Sequence, residues 1–159
     1  MSESKAEYYL HFVWTTQQRC PLLTPDVEAS VHRCIQAEAK RLRCSVLAIG
    51  GMPDHVHLAV KAPTTLCPAQ AMKQIKGVAS KFVGDEFVRR ADHPLDWFRW
   101  QEGYGVFTFS ASQKTGVIHY IQGQKQHHAT GSLWLACETD RIDLLHKSDT
   151  SVPRAEPLG

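Results

Sequence analysis

Paired cysteines, an excess of charge of a single sign and long apolar runs are all lacking in this 159-residue chain, and each lack removes a class of protein. The five cysteines (Cys20, Cys34, Cys44, Cys67, Cys137) are scattered, odd in number, and never form a C-x-x-C pair. That pattern argues against a zinc ribbon or a dithiol redox motif and for a reducing compartment. No apolar stretch approaches the roughly 20 residues that span a bilayer. The opening Met1-Ser2-Glu3-Ser4-Lys5 is polar and charged, unlike a secretory signal, so the expected location is cytoplasmic with no membrane partner. Internal repeats and low-complexity tracts are absent. The net charge of +2 says little about partners by itself. Residues 138–159 hold five acids and three bases, which leaves 15 basic against 11 acidic residues up to Cys137 and gives mild support for a polyanionic partner.

What is present describes a folded chain. Hydrophobic residues make up 43% and charged residues 21%, a balance that excludes disorder, and the length suits one compact domain but is tight for two. The expected division is a single domain over residues 1–137. A polar tail over 138–159 follows, formed by a short helix from about Cys137 and a frayed end.

Residues 8–16 alternate as a strand, with Tyr9, His11, Val13 and Thr15 on one face and Leu10, Phe12 and Trp14 on the other. Thr24-Pro25-Asp26 supplies an N-cap, a proline at the first helical position and an acid in the first turn. Val27, Val31, Ile35, Ala39 and Leu42 continue at helical spacing. Residues 45–49 and 55–60 read as strands joined by a turn over Gly50-Gly51-Met52-Pro53-Asp54. Pro68 opens a second helix with Met72, Ile75, Ala79 and Phe82 inward, and residues 104–110 form a fourth strand after an aromatic patch with Trp97, Phe98 and Trp100. Ser112 is expected to cap a third helix reaching about His128. A β-α-β-β-α-β order folds as an α+β, ferredoxin-like split βαβ with one antiparallel sheet and two helices on one face. The added C-terminal helix then carries Tyr120 and packs near the sheet.

Two features carry chemistry. His55-Val56-His57 opens the third strand, so both imidazoles project from one face, half of a site for a divalent metal. Tyr120 and Gln124 stand one helical turn apart and leave the same helix face. A phenol is a covalent nucleophile that needs activation, and a carboxamide oxygen beside two imidazoles makes an N/O donor set suited to Mg²⁺ or Mn²⁺. Taken singly, each of these residues has an ordinary structural explanation; together they fit attack on a phosphorus centre at a metal.

Met52-Pro53-Asp54-His55-Val56-His57-Leu58, the Lys76-Gly77 step, Gly103-Tyr104-Gly105, and Tyr120-Ile121-x-x-Gln124 followed by His127-His128 resemble, in order, the small HUH-type single-tyrosine transposases. That group includes transposases of bacterial insertion sequences and the related REP-associated tyrosine transposases. The resemblance runs from about Tyr8 to His128. It implies a nuclease that cleaves and rejoins single-stranded DNA at hairpin-bearing ends. On the matching positions, His55, His57 and Gln124 would hold Mg²⁺ or Mn²⁺, and Tyr120 would form a 5′-phosphotyrosine link that frees a 3′-OH. Family members occur both as monomers and as homodimers that exchange the tyrosine helix, and Gly116 and Gly123 loosen that helix here.

Other residues have weaker assignments. Lys73, Lys76 and Lys81 lie on the outer side of the second helix, a solvated face that in this context becomes a phosphate contact. His127 and His128 are expected to touch DNA or to be structural rather than to bind metal, and His119 to lie at the surface. Trp97, Trp100 and Tyr104 fit core or rim positions, and Asp54 fits a turn, with a hydrogen bond to a histidine as the lesser option. Two other readings are a non-catalytic nucleic-acid-binding module and a metal-dependent small-molecule enzyme. The complete His-His-Tyr-Gln set weighs against the first, and the unexplained tyrosine against the second.

Overall fold

The computed structural model describes residues 4–130. The expected tail, its short helix and the domain limit at residue 137 lie outside the described residues. Four strands, β1 (Tyr9–Thr15), β2 (Ser45–Met52), β3 (His55–Lys61) and β4 (Gly105–Phe109), form one sheet in the order β2-β3-β1-β4. Every neighbouring pair is antiparallel. This is the ferredoxin-like α+β arrangement that the element order predicts. β1 is central and every residue in it is buried, because both faces of the sheet are covered.

Helices α1 (Pro25–Arg41) and α2 (Pro68–Val83) each begin with proline at the first turn, where its missing N–H costs nothing. Both lie on one sheet face. Val27, Val31 and Ile35 of α1 and Met72, Ile75 and Ala79 of α2 pack there on Leu10, Phe12, Trp14, Val56, Leu58 and Val60. Each large side chain buried in this layer contributes about 1.5–3 kcal/mol. α3 (Lys114–Gln122) takes the opposite face, where Val117, Tyr120 and Ile121 meet Ala48 and Ala59. Small residues on that face let the helix sit close: a Cβ at Gly50 would overlap the backbone carbonyl of Ile121.

Two local expectations change. β2 continues through Gly50 and Gly51, which pair with His57 and Val56, so the reversal shrinks to Pro53-Asp54. Here the glycines serve close packing rather than the turn. The third helix does not start at Ser112. Ser110 makes a capping box with Gln113, whose side-chain oxygen accepts the Ser110 backbone N–H at 3.0 Å. A 3₁₀ turn over Ala111–Gln113 then leads into α3. Gly123, at φ −93° and ψ 16°, interrupts the helix before α4 (Gln124–Thr130).

Candidate active site

Strand alternation turns His55 and His57 toward α3, and the sheet register surrounds them. His55 lies opposite Thr15 and Met52, and His57 opposite Val13 and Gly50. Both imidazoles are 0% exposed. Each ring is held through its Nδ1. His55 Nδ1–H donates to Asp54 Oδ1 at 2.7 Å, and His57 Nδ1 shares a 2.8 Å hydrogen bond with His11 Nε2. Arg19 Nε donates to Asp54 Oδ2 at 3.1 Å from a turn in which Gln18 and Arg19 both take positive φ. Burial pushes the Asp54 carboxyl upward, but the hydrogen bonds and charges of His55 and Arg19 overcome it and hold it at about 2. Carboxylate support of one ring and imidazole support of the other fix ring orientation and present Nε2 as the remaining nitrogen.

The helix side arrives from far along the chain, Gln124 69 and His128 73 positions after His55. Tyr120 is 2% exposed, and its ring meets that of His57 edge-on at 5.9 Å between centroids. Gln124 Nε2 donates to the Tyr120 carbonyl at 3.3 Å, which turns Oε1 toward His55 Nε2 at 3.2 Å. His128 closes the group, with its Nε2 3.2 Å from His55 Nε2 and 3.1 Å from Gln124 Oε1. The His127 ring lies 4.9 Å from that of Tyr120. The histidine pair, the tyrosine and the glutamine are thus assembled within one chain.

His11 and Arg19 are not among the expected site residues, and Asp54 is expected there only as the lesser option. For His11 a signal existed, a polar side chain inside the otherwise apolar Leu10–Val13 run. Its meaning depended on pairing with β3. The lysines separate. Lys76 is not a solvated cation: its Nζ donates to the carbonyls of Gln101 at 2.7 Å and Gly103 at 3.0 Å, and burial lowers its pKa. Lys73 is exposed, and Lys81 pairs with Asp85 at 2.8 Å. These helix positions do not join the histidine cluster. Trp100 is core, Trp97 and His119 are exposed, and Asp54 combines the turn with the hydrogen bond to His55. Between β4 and α3 an open groove of about 400 Å³ reaches His11, with Phe107, Phe109, Gln113 and Gly116 along it.

The donors suit a divalent ion. Among the described residues no three His, Cys, Asp or Glu side chains converge as they stand. The convergent set is instead two imidazoles and a carboxamide oxygen, with His57 beside it at 5.1 Å between ring centroids from His55. Neutral nitrogen and amide oxygen donors, with the outer nitrogen of His55 held by a carboxylate, are chemistry that a hard or borderline cation accepts. No helix among the described residues is long and apolar enough to cross a membrane.

Comparison with known proteins gives the family and the fold. The family model described as "Transposase IS200 like" matches residues 4–124. The ISDra2 transposase TnpA of Deinococcus radiodurans is 22% identical over 114 residues, covering 72% of this chain and 81% of that protein. Two solved structures share the fold. One, from Deinococcus radiodurans R1 and described as a transposase, has a TM-score of 0.59 at 22% identity, covering 78% of this chain and 98% of its own. The other, a REP-associated tyrosine transposase bound to a REP hairpin, has a TM-score of 0.57 at 18% identity over 80% of this chain and 74% of its own. The family match spans both the histidine strand and the tyrosine helix, and the chain belongs to the IS200-like transposase family.

Proposed function

We propose that this transposase cleaves and rejoins single-stranded DNA bearing hairpin ends, with Tyr120 as nucleophile and His55, His57 and Gln124 holding Mg²⁺ or Mn²⁺. The observation that carries the reading is the buried meeting of His55, His57, Tyr120 and Gln124 from two elements distant in sequence. When bound, the metal supplies a Lewis acid that polarises a phosphoryl oxygen. The Tyr120 oxygen attacks phosphorus, the bond from phosphorus to the 3′ oxygen breaks, and the departing oxygen takes a proton to become a 3′-OH. The 5′-phosphotyrosine retains one phosphodiester's worth of bond energy, so attack by a 3′-OH reverses the step and rejoins a strand. Tyr120 has to be uncovered for a strand to reach it, which the His127 ring, 4.9 Å away, allows by swinging aside while Gln124 stays in place.

The domain unit proposed for this activity is residues 1–137, and its setting the cytoplasm. Lys73 and Lys81 are the proposed DNA contacts away from the reacting atoms, and His127 is a proposed DNA contact beside Tyr120. Cleavage in cis by one chain is the proposed arrangement, and a homodimer exchanging α3 is the other. Incubation with a 3′-labelled hairpin oligonucleotide tests the reading. A covalent adduct should survive denaturing electrophoresis, require Mg²⁺ or Mn²⁺, and vanish in Tyr120→Phe, which keeps the ring and its packing. Comparable cleavage by the phenylalanine variant would reject the mechanism. Recovery of adduct on mixing Tyr120→Phe with His57→Ala chains would reveal exchange between protomers.

A further inference from the structure

The lone pairs around His55 raise a problem that a cation would solve. Asp54 accepts the proton on His55 Nδ1, so a neutral His55 carries its lone pair on Nε2. Gln124 gives its amide hydrogens to the Tyr120 carbonyl side, so the atom it turns to His55 is also an acceptor. Two acceptors therefore face each other at 3.2 Å in a buried setting, and the third atom against both is His128 Nε2, at 3.2 and 3.1 Å. Either a single N–H of His128 bridges both acceptors, or all three atoms are donors to one ion.

The dimensions suit the second arrangement. Adjacent donors bonded at about 2.1 Å to a divalent ion lie about 3.0 Å apart in an octahedron and about 3.4 Å apart in a tetrahedron. The three edges here, 3.1, 3.2 and 3.2 Å, fall between those limits. His128 also follows Gln124 by four residues in the same short helix, so a single placement of α4 delivers both side chains.

We propose that His128 is a further protein donor at this metal, which makes the site three imidazoles and one carboxamide oxygen. The inference rests on the metal reading above and goes beyond it in assigning a ligand and a preference. Imidazole-rich sites favour later first-row ions over magnesium, which prefers oxygen and retains its water. The chain therefore selects Mn²⁺ over Mg²⁺, and His128 is a large part of that selection. It also ties α4 to the sheet when metal is bound.

The test uses the full chain without DNA. Pulsed electron paramagnetic resonance of Mn²⁺ on ¹⁵N-labelled wild-type protein should count three coordinated imidazoles. His128→Ala should retain two and weaken Mn²⁺ binding at least tenfold, whereas Mg²⁺ affinity should fall less and a variant of the exposed His119, His119→Ala, should stay within twofold. Two imidazoles in the wild type, or Mn²⁺ affinity within twofold in His128→Ala, overturns the assignment and leaves the metal reading standing. Failure of the wild-type chain to bind Mn²⁺ at all overturns both. The nitrogen count is made on unmutated protein, so a folding defect in the variant cannot obscure the result.

Discussion

Replacing Gly50 by alanine tests whether the seating of α3 on β2 sets the geometry of the site. Gly50 pairs with His57 across the β2–β3 ladder, so a side chain at position 50 points to the face that carries α3. Its Cβ would overlap the Ile121 carbonyl oxygen and lie 3.1 Å from the carbonyl carbon and 3.3 Å from Cγ2. The obstacle is helix backbone, which cannot rotate aside as a side-chain end can. α3 therefore has to retreat by about 1 Å, at an overpacking cost of roughly 1–3 kcal/mol. For a chain of this size the melting temperature should fall by roughly 3–10 °C. The same retreat carries Tyr120 and Gln124 away from the histidines, and misplacement of about 1 Å costs on the order of 10²-fold in rate. Thermal unfolding followed by circular dichroism measures the first effect. Single-turnover adduct formation, run well below the variant's melting temperature, measures the second without contribution from unfolded protein. Gly77→Ala on α2 is the control, because its Cβ meets nothing within 4 Å; it should keep full activity and gain up to about 1 kcal/mol. A Gly50→Ala protein that melts and cleaves like the wild type would refute the direct seating of α3 on β2.

His11→Phe should keep the buried volume but remove the 2.8 Å partner of His57, lowering Mn²⁺ affinity by about 10–100-fold in a titration; unchanged affinity would show that His11 only fills space. Lys76→Met should destabilise the chain by about 1–2 kcal/mol in urea unfolding, because two carbonyls lose a charged donor, while Lys73→Met and Lys81→Met should each stay within about 0.5 kcal/mol. Equal effects from all three would remove the special role of Lys76. Asp26 is held at about 2 by hydrogen bonds from His93 and Thr24. Its folded value lies below the unfolded one, so its contribution to stability is complete above about pH 4 and is lost as pH falls toward 2. Asp26→Asn should flatten that part of the acid limb of melting temperature against pH, and an unaltered limb would contradict the assignment.

The sites of agreement and disagreement between sequence and structure have a common cause. The common face of His55 and His57 depends on strand period alone, and the Pro25 and Pro68 helix starts depend on one ring that lacks an N–H. Such features are legible because the residues that determine them are adjacent. Gly50 and Gly51 resemble turn residues for an equally local reason, but pairing with β3 makes them strand residues, with Gly50 close under α3 and Gly51 close against the backbone of His55 and Val56. Lys76 resembles a solvated helix cation until the 101–103 loop folds over it and offers carbonyls.

The sequence by itself determined the strand and helix order, the paired imidazoles, the one-turn spacing of Tyr120 and Gln124, and the family resemblance, which the family match then supported. Only the tertiary structure decided that β1 registers on β3 so that His11 supports His57, that Arg19 and Asp54 support His55, and that α3 occupies the sheet face opposite α1 and α2. It alone brought His128 against His55 and Gln124. Periodicity is set by neighbours within a few residues of one another. Register and layer are set by which long-range packing buries the apolar faces and satisfies the polar groups enclosed with them, and that choice is made by the whole chain at once.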